Sequence, residues 1–307
     1  LIKVTRSWGG NDQQGLAYGL LDGGRGLLAA VLASLGVLAF ASAFPLGYDS
    51  ATLTEKGAIL RQVIYGYTAA TAAVGVMVWF TLRGIPVETE TEHDSGWATA
   101  LTQFRAVVKL KVVWLQATVL VCAYSSYKAF DQYALFAVRG HGIDEIDAAQ
   151  IVTAGAWTRP IAALALGLLG DRFGISRMAL VCFVLLIISH SLFAFTGQAL
   201  GSLSMILLNT LVTGVAIFGL RGLYFGLLEE GQIPLAVTGT AVGLVSVIGY
   251  TPDVYVAAIA GYLIDQNPGL LGFQHLFVLL LVFSVVGAFA ALAFTRQATP
   301  SSLASGR

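Results

Sequence analysis

The chain has 307 residues, of which 57% are hydrophobic and only 11% are charged. Soluble domains carry about 25% charged residues, so this composition and the mean hydropathy of +0.79 exclude an ordinary soluble domain. Basic and acidic residues balance at 17 each, so we expect no nucleic-acid partner. Cys122 and Cys182 both lie in apolar runs, which indicates packing residues and no metal site, and gives no information on the redox compartment.

Eight segments of the sequence are long and apolar enough to cross a membrane, which requires about 20 mostly apolar residues. The sequence therefore predicts an all-α membrane protein with about eight transmembrane helices. The third segment extends to about residue 138 if the apolar stretch after Asp131 is included. The predicted segments are 20–44, 60–83, 108–130, 147–170, 177–196, 200–227, 236–264 and 273–295.

Basic residues are unevenly distributed between the two sides of the predicted helices. The connections on the side of the first residue hold most of the basic residues that lie outside helices, which predicts that both termini are cytoplasmic. The longest connection on this side opens with acidic residues and turns basic at Arg105. We therefore predict part of one helical bundle at 1–84, a cytoplasmic linker at 85–107, and a second bundle with a short tail at 108–307.

A distinctive motif connects the fourth and fifth predicted helices. It contains a glycine, an Asp-Arg pair, a second glycine and a further arginine. The second glycine allows a tight turn, and the aspartate can accept backbone N–H groups at a helix N-terminus. The two arginines favour a cytoplasmic location, and an ordinary basic loop is the alternative interpretation. The motif residues are Gly167, Asp171, Arg172, Gly174 and Arg177.

These motif residues resemble the signature loop of the major facilitator superfamily (MFS) of transporters. The chain departs from that pattern at Ile175 and Ser176, where the family often has another basic residue. The resemblance implies an MFS-type fold of two six-helix bundles, with 108–296 as the second bundle and 20–83 as helices five and six of the first. It thus implies helices 5–12 of a twelve-helix plan, in an N-terminally truncated fragment. It also implies that Asp171 and Arg172 act in a conformational gate.

Charged and tyrosine side chains occur inside the predicted helices, where a charge costs about 2.5–3.5 kcal/mol at the bilayer centre on insertion scales. Arg159 lies mid-helix and suits either an anionic substrate or a buried acidic partner. Tyr124, Tyr127 and Asp131 share one helical face, and Lys128 can pair with Asp131 at i, i+3. This face lines either a central cavity or an aromatic belt at the membrane interface.

Further intramembrane residues have a weaker or a structural interpretation. Asp253 follows Pro252, which should disturb its helix, and its carboxyl group could bind a proton. Asp22 and Arg25 are three residues apart, which predicts an ion pair that packs the helices. Arg221, Tyr224 and Asn209 are weaker candidates for the pathway. Small residues at helical spacing predict close helix contacts; they are Gly15, Gly19, Gly23, Ala163 and Gly167.

These observations predict a secondary active transporter of a small, anionic organic solute, working by alternating access. Arg159 and Lys128 would attract the solute, with coupling to H⁺ or Na⁺ through Asp131 or Asp253. We expect no catalytic residues, metal or cofactor, and a monomer in contact with membrane lipid. The alternatives are a membrane-embedded enzyme or cofactor-bearing subunit, and a receptor that transports nothing.

Overall fold

The computed structural model describes residues 2–10, 12–43, 52–82, 97–197 and 202–298, and within these ranges it contains helices and no β-strand. The predicted all-α fold class is therefore confirmed. Helices suit a chain embedded in lipid because they satisfy their own backbone N–H and C=O groups. The helices are α1 (Ile2–Gly9), α2 (Gln14–Ser42), α3 (Leu53–Leu82), α4 (Trp97–Val108), α5 (Lys111–Ala129), α6 (Tyr133–Leu135), α7 (Glu145–Phe173), α8 (Ile175–Phe195), α9 (Leu203–Leu223), α10 (Leu227–Glu230), α11 (Thr238–Gly249), α12 (Pro252–Gln266) and α13 (Leu270–Ala298).

Six helical segments of the described chain are long and apolar enough to span a membrane. A seventh is counted if Leu101–Val108 and Lys111–Gly140, which meet at 78°, form one bent span. The predicted segment 60–83 corresponds to α3, which is not among the six, so the prediction of about eight spans is approximate. The six spans are Gln14–Ala39, Glu145–Phe173, Ile175–Phe195, Leu203–Leu223, Thr238–Gln266 and Leu270–Gln297.

The segment that begins with α5 continues well past residue 130, as the apolar stretch after Asp131 suggested. A turn of 3₁₀ helix at Phe130–Gln132 follows α5, and a π-helical turn at Phe136–Gly140 follows α6. Aromatic packing holds these turns in the bundle, because the rings of Tyr133 and Phe136 lie 5.5 and 5.0 Å from the ring of Phe277 in α13.

The predicted segment 236–264 consists of two helices, α11 and α12, with a break just before Pro252. Pro252 begins α12, where its missing N–H group leaves no helical hydrogen bond unmade. The hydroxyl of Thr251 donates to the carbonyl of Ile248 at 2.7 Å, which satisfies one acceptor at the end of α11. The expected disturbance at Pro252 is confirmed, and it places Asp253 in the first turn of a helix.

The chain divides into two compact units, one formed by Leu1–Ala30 with Thr102–Arg307 and the other by Val31–Leu101. In the second unit, the hydroxyl of Tyr67 in α3 donates to the carbonyl of Leu32 in α2 at 2.6 Å. This hydrogen bond joins the two helices where their apolar side chains are largely exposed. All the site residues discussed below belong to the first unit.

The predicted linker 85–107 is only partly within the described residues. Its last part is helical, in α4, whereas 83–96 lie outside the described residues. The predicted division into 1–84, the linker and 108–307 therefore stays a prediction.

Buried polar groups connect α8, α9 and α13 inside the first unit. The amide of Asn209 donates to the carbonyl of Ser189 at 3.1 Å, and the hydroxyls of Ser189 and Thr213 form a hydrogen bond. The imidazole of His190 lies 3.0 Å from the hydroxyl of Ser284. Interhelical hydrogen bonds of this kind fix helix positions in lipid, where no water competes. Asn209 thus has a packing role in this structure.

Candidate functional site

Helices α2 and α7 approach each other through small residues, as their spacing predicted. A side chain on Gly15 would collide with the backbone of Gly167, and a Cβ atom on Gly19 would lie 2.6 Å from the carbonyl oxygen of Ala163. Gly23, one further turn along α2, also faces α7. Because glycine has no side chain, the two backbones meet directly. This contact brings the polar residues of α2 within reach of α7 and α9.

Asp22 of α2 pairs with two arginines from other helices. Its two carboxylate oxygens accept hydrogen bonds from Nη2 and Nε of Arg159 at 2.8 and 3.2 Å. Nε of Arg221 in α9 lies 3.5 Å from the same carboxylate. The side chains of Asp22, Arg159 and Arg221 are only 9%, 12% and 13% exposed. We refer to these three residues as the arginine set.

The predicted pairing of Asp22 with Arg25 is corrected by these contacts. Asp22 lies on the face of α2 that packs against α7, whereas Arg25 is exposed. Spacing at i, i+3 allowed the local pair, but the buried guanidinium groups of Arg159 and Arg221 are nearer the carboxylate. Asp22 therefore joins three helices, and Arg25 has no ion pair among the described residues.

A second set of charges lies between α5 and α12. The ammonium group of Lys128 is 3.4 Å from Asp131, which confirms the predicted pair, and 3.5 Å from Asp253. The hydroxyl of Tyr124 donates to the carboxylate of Asp253 at 3.1 Å. These groups are more exposed than the arginine set, with Asp131 at 67% and Asp253 at 49%. We refer to Lys128, Asp131 and Asp253 as the lysine set.

Tyrosine side chains connect the two sets. The guanidinium group of Arg221 lies 4.1 Å from the ring centroid of Tyr127 and 5.9 Å from that of Tyr124, within the range of cation–π attraction. Arg159 lies 5.6 Å from the ring centroid of Phe218. Tyr124 therefore contacts Arg221 with its ring and Asp253 with its hydroxyl, so it spans both sets.

The structure thus brings together all six residues that the sequence predicted for a pathway. Arg159 belongs to the arginine set, and Lys128, Asp131 and Asp253 form the lysine set. The two tyrosines both contact Arg221. Arg221 was ranked among the weaker candidates because it lies near the end of α9, yet it contacts both tyrosines. The one sequence feature that indicated Arg221 as a candidate site residue was its charge within the apolar run of α9. The six are Arg159, Lys128, Asp131, Tyr124, Tyr127 and Asp253.

The motif between α7 and α8 is organised around the start of α2. The carboxylate of Asp171 accepts the backbone N–H groups of Gly15 and Leu16 at 2.6 and 2.8 Å. The first N–H groups of a helix have no partner inside it, and the helix dipole favours an anion there. Gly174 ends α7 with φ of 100°, a conformation that L side chains rarely adopt. Asp171 thereby connects the motif to another helix.

The remaining polar residues of the motif have different surroundings. Arg172 and Arg177 are exposed, and the guanidinium of Arg172 lies 5.2 Å from the ring centroid of Phe173. At Ser176, where the chain departs from the resembled pattern, the backbone N–H and the hydroxyl both donate to Glu230. A neutral hydrogen-bonding residue therefore occupies this position and attaches the motif to α10.

Arg6 of α1 forms a further buried contact that sequence reasoning missed. Its guanidinium group donates to the carboxylate of Glu229 at 2.6 Å and to the carbonyl of Ile233, also at 2.6 Å. It also donates to the hydroxyl of Thr238. No local pattern in the sequence indicates this contact, because Glu229 lies 223 residues away.

Comparison with known proteins supports the membrane assignment. No family model matches the chain. It is 25% identical over 312 residues to the inner membrane protein YihN of Escherichia coli (strain K12), covering 97% of this chain and 69% of YihN. It is 23% identical to the inner membrane protein YqcE of the same organism, covering 98% of this chain and 70% of YqcE. The chain is a multi-pass membrane protein. Its apolar helix faces therefore contact lipid.

Proposed function

We propose that the chain is part of an MFS-type secondary active transporter of the plasma membrane, with both termini of this sequence in the cytoplasm. It moves a small organic anion by alternating access as a monomer, coupled to H⁺ or Na⁺. The observation that carries the proposal is the pair of charged sets joined by Tyr124, contributed by α2, α5, α7, α9 and α12.

Charges at membrane depth support this proposal because they are costly there without a function or a partner. Arg159 lies mid-way along α7, and Asp253 lies mid-way along the span formed by α11 and α12. Each set keeps an excess charge of one unit, positive in the arginine set and negative in the lysine set. The positive excess suits the solute, and the negative excess suits a coupling cation at Asp131 or Asp253.

The contact of Asp171 with α2 supports the gate. A helix N-terminus held by a carboxylate from another helix can be released as a unit, without unfolding either helix. The motif of Gly167, Asp171, Arg172, Gly174 and Arg177 would hold α2 against α7 in one state. The other state would separate them, which is the two-state element that alternating access needs.

Transport is tested with the full-length protein in sealed vesicles that contain a pH-sensitive dye. A panel of organic anions, organic cations and neutral solutes is added with and without a sodium gradient. We expect at least one anion to be taken up, with dye acidification if H⁺ is the coupling ion. No uptake of any solute under either gradient would refute the proposal and favour a receptor or a membrane enzyme.

Variants then test the pathway residues. Arg159→Ala should abolish uptake of the anion, and Asp131→Asn should alter its dependence on pH or sodium. Arg25→Ala is the matched control, since Arg25 is an exposed arginine on α2. Unchanged uptake and unchanged ion dependence in both pathway variants would contradict these roles.

A further inference from the structure

The arginine set contains more positive charge than its carboxylate can neutralise. Arg159 engages both oxygens of Asp22, so Arg221 receives only a distant contact of 3.5 Å through Nε. Nε and Nη1 of Arg221 are buried and have no hydrogen-bond acceptor among the described residues. Buried donors without acceptors are destabilising, and more so when they carry charge. The set therefore lacks one anionic acceptor.

The surroundings of Arg221 indicate the chemistry of that acceptor. Tyr127 covers one side of the guanidinium group at 4.1 Å, so the long contact with Asp22 is supplemented only by weak cation–π attraction. A guanidinium group presents N–H donors in a planar fork, which matches the paired oxygens of a carboxylate, phosphonate or sulfonate. The second guanidinium group, of Arg159, is held beside it by the shared carboxylate.

We propose that Arg221 and Arg159 bind the oxyanion head of a small organic solute, and that this head competes with Asp22 for the two guanidinium groups. Asp22 is then a built-in counter-ion that occupies the site when the solute is absent. The inference rests on the proposed transport function and names the part of the solute that this site recognises.

Displacement of Asp22 would also connect binding to movement. Asp22 is two helical turns from Gly15, where Asp171 holds the start of α2. A solute that replaces Asp22 removes the only ion pairs between α2 and the other helices that the described residues show at this depth. Because a ligand shifts a conformational equilibrium by its difference in affinity for the two states, an oxyanion would favour release of α2.

The test measures thermal unfolding of the full-length protein in detergent, with sodium acetate, methylphosphonate or methanesulfonate as probes and sodium chloride at equal ionic strength as reference. Ligands that bind the native state raise its unfolding temperature. We expect at least one oxyanion to stabilise the wild-type protein more than chloride does. Arg221→Gln should abolish this difference, and the exposed control Arg25→Gln should keep it.

Asp22 is tested with two variants of opposite effect. Asp22→Asn removes the competitor, so the oxyanion concentration needed for half of the effect should fall at least about tenfold. Asp22→Glu keeps the charge and reaches further, so it should raise that concentration, and it remains informative if Asp22→Asn does not fold. No oxyanion effect in the wild type, or an equal effect in Arg221→Gln, would overturn the proposal.

The outcome separates this proposal from the transport function. Vesicle uptake that persists while oxyanion stabilisation is independent of Arg221 and Asp22 would overturn the binding site and leave transport standing. Oxyanion stabilisation that depends on both residues, in a protein without uptake of any solute, would establish the site and refute transport.

Discussion

Asp171 lies in α7, and its carboxylate contacts the start of α2. Replacing Asp171 by Asn changes one of the two oxygen acceptors of this carboxylate into an NH₂ donor. Two backbone N–H groups, of Gly15 and Leu16, donate to the carboxylate at 2.6 and 2.8 Å. A hydrogen bond to a charged group contributes about 1.5–3 kcal/mol, and the favourable interaction with the helix dipole is lost as well, at about 0.3–1 kcal/mol. Because Asp171 is partly exposed, we expect a loss near the lower end, about 2 kcal/mol.

Amide hydrogen exchange measures this loss directly, in peptides that contain Gly15 and Leu16 from the full-length protein in detergent. Local opening that becomes easier by about 2 kcal/mol should speed exchange of these two amides about 30-fold. The matched control is Asp144→Asn at the N-terminus of α7, where the carboxylate accepts the N–H of Ile146, in the first turn of the same helix, at 2.9 Å.

Asp144→Asn makes the same chemical change at a carboxylate whose hydrogen bond lies at the start of α7 and not at the start of α2. It should leave exchange at the start of α2 unchanged. Unaltered exchange of Gly15 and Leu16 in Asp171→Asn, or equal acceleration in the control, would refute the assigned contact between the motif and α2.

Three further predictions concern the stability of the first unit in detergent, measured by thermal or denaturant unfolding. Gly19→Ala should destabilise it by about 1–3 kcal/mol through overpacking, because the new Cβ atom meets the carbonyl of Ala163, whereas Gly24→Ala on the open side of α2 should not. Arg6→Gln should cost about 2–3 kcal/mol, because Glu229 and Ile233 lose a charged donor, and Arg25→Gln, at an exposed arginine of the same unit, should change stability by less than about 0.5 kcal/mol. Burial lowers the pKa of His141, which lies outside the spans, so the unfolded chain binds more protons there and stability should fall as pH drops below about 6.5. His141→Phe should remove part of that acid-dependent loss, and an identical pH profile in the variant would exclude this origin.

Most of the membrane-spanning helices were predictable because a helix in lipid requires a long apolar stretch of sequence. Long apolar stretches identified the spans, and the glycine spacing on α2 identified the face that meets α7. Ion pairs between residues that are close in sequence were also predictable, as with Lys128 and Asp131. What the sequence could not indicate was which distant charges meet, because the partners of Asp22 and Arg6 are more than a hundred residues away.

The correction at Asp22 illustrates this limit in physical terms. Helical spacing shows which residues share a face, and it placed Asp22 near Arg25. It does not show which face is buried, and burial decides the pairing because charge attraction is stronger where water is excluded. The same reason explains why the sequence indicates only a minor role for Arg221. The sequence shows the position of Arg221 along α9, but it does not show which residues surround its side chain.

The glycine face of α2 has a consequence for how this helix can slide. Its small residues repeat every four positions, as do Gly167 and Ala163 on α7, so a shift of four residues, about 6 Å, would again set small residues against small residues. At Gly15 and Gly19 the backbone of α2 lies directly against the backbone of α7. The polar contacts, by contrast, form in one register of α2 only, so Asp22 and Asp171 hold the helix in that register.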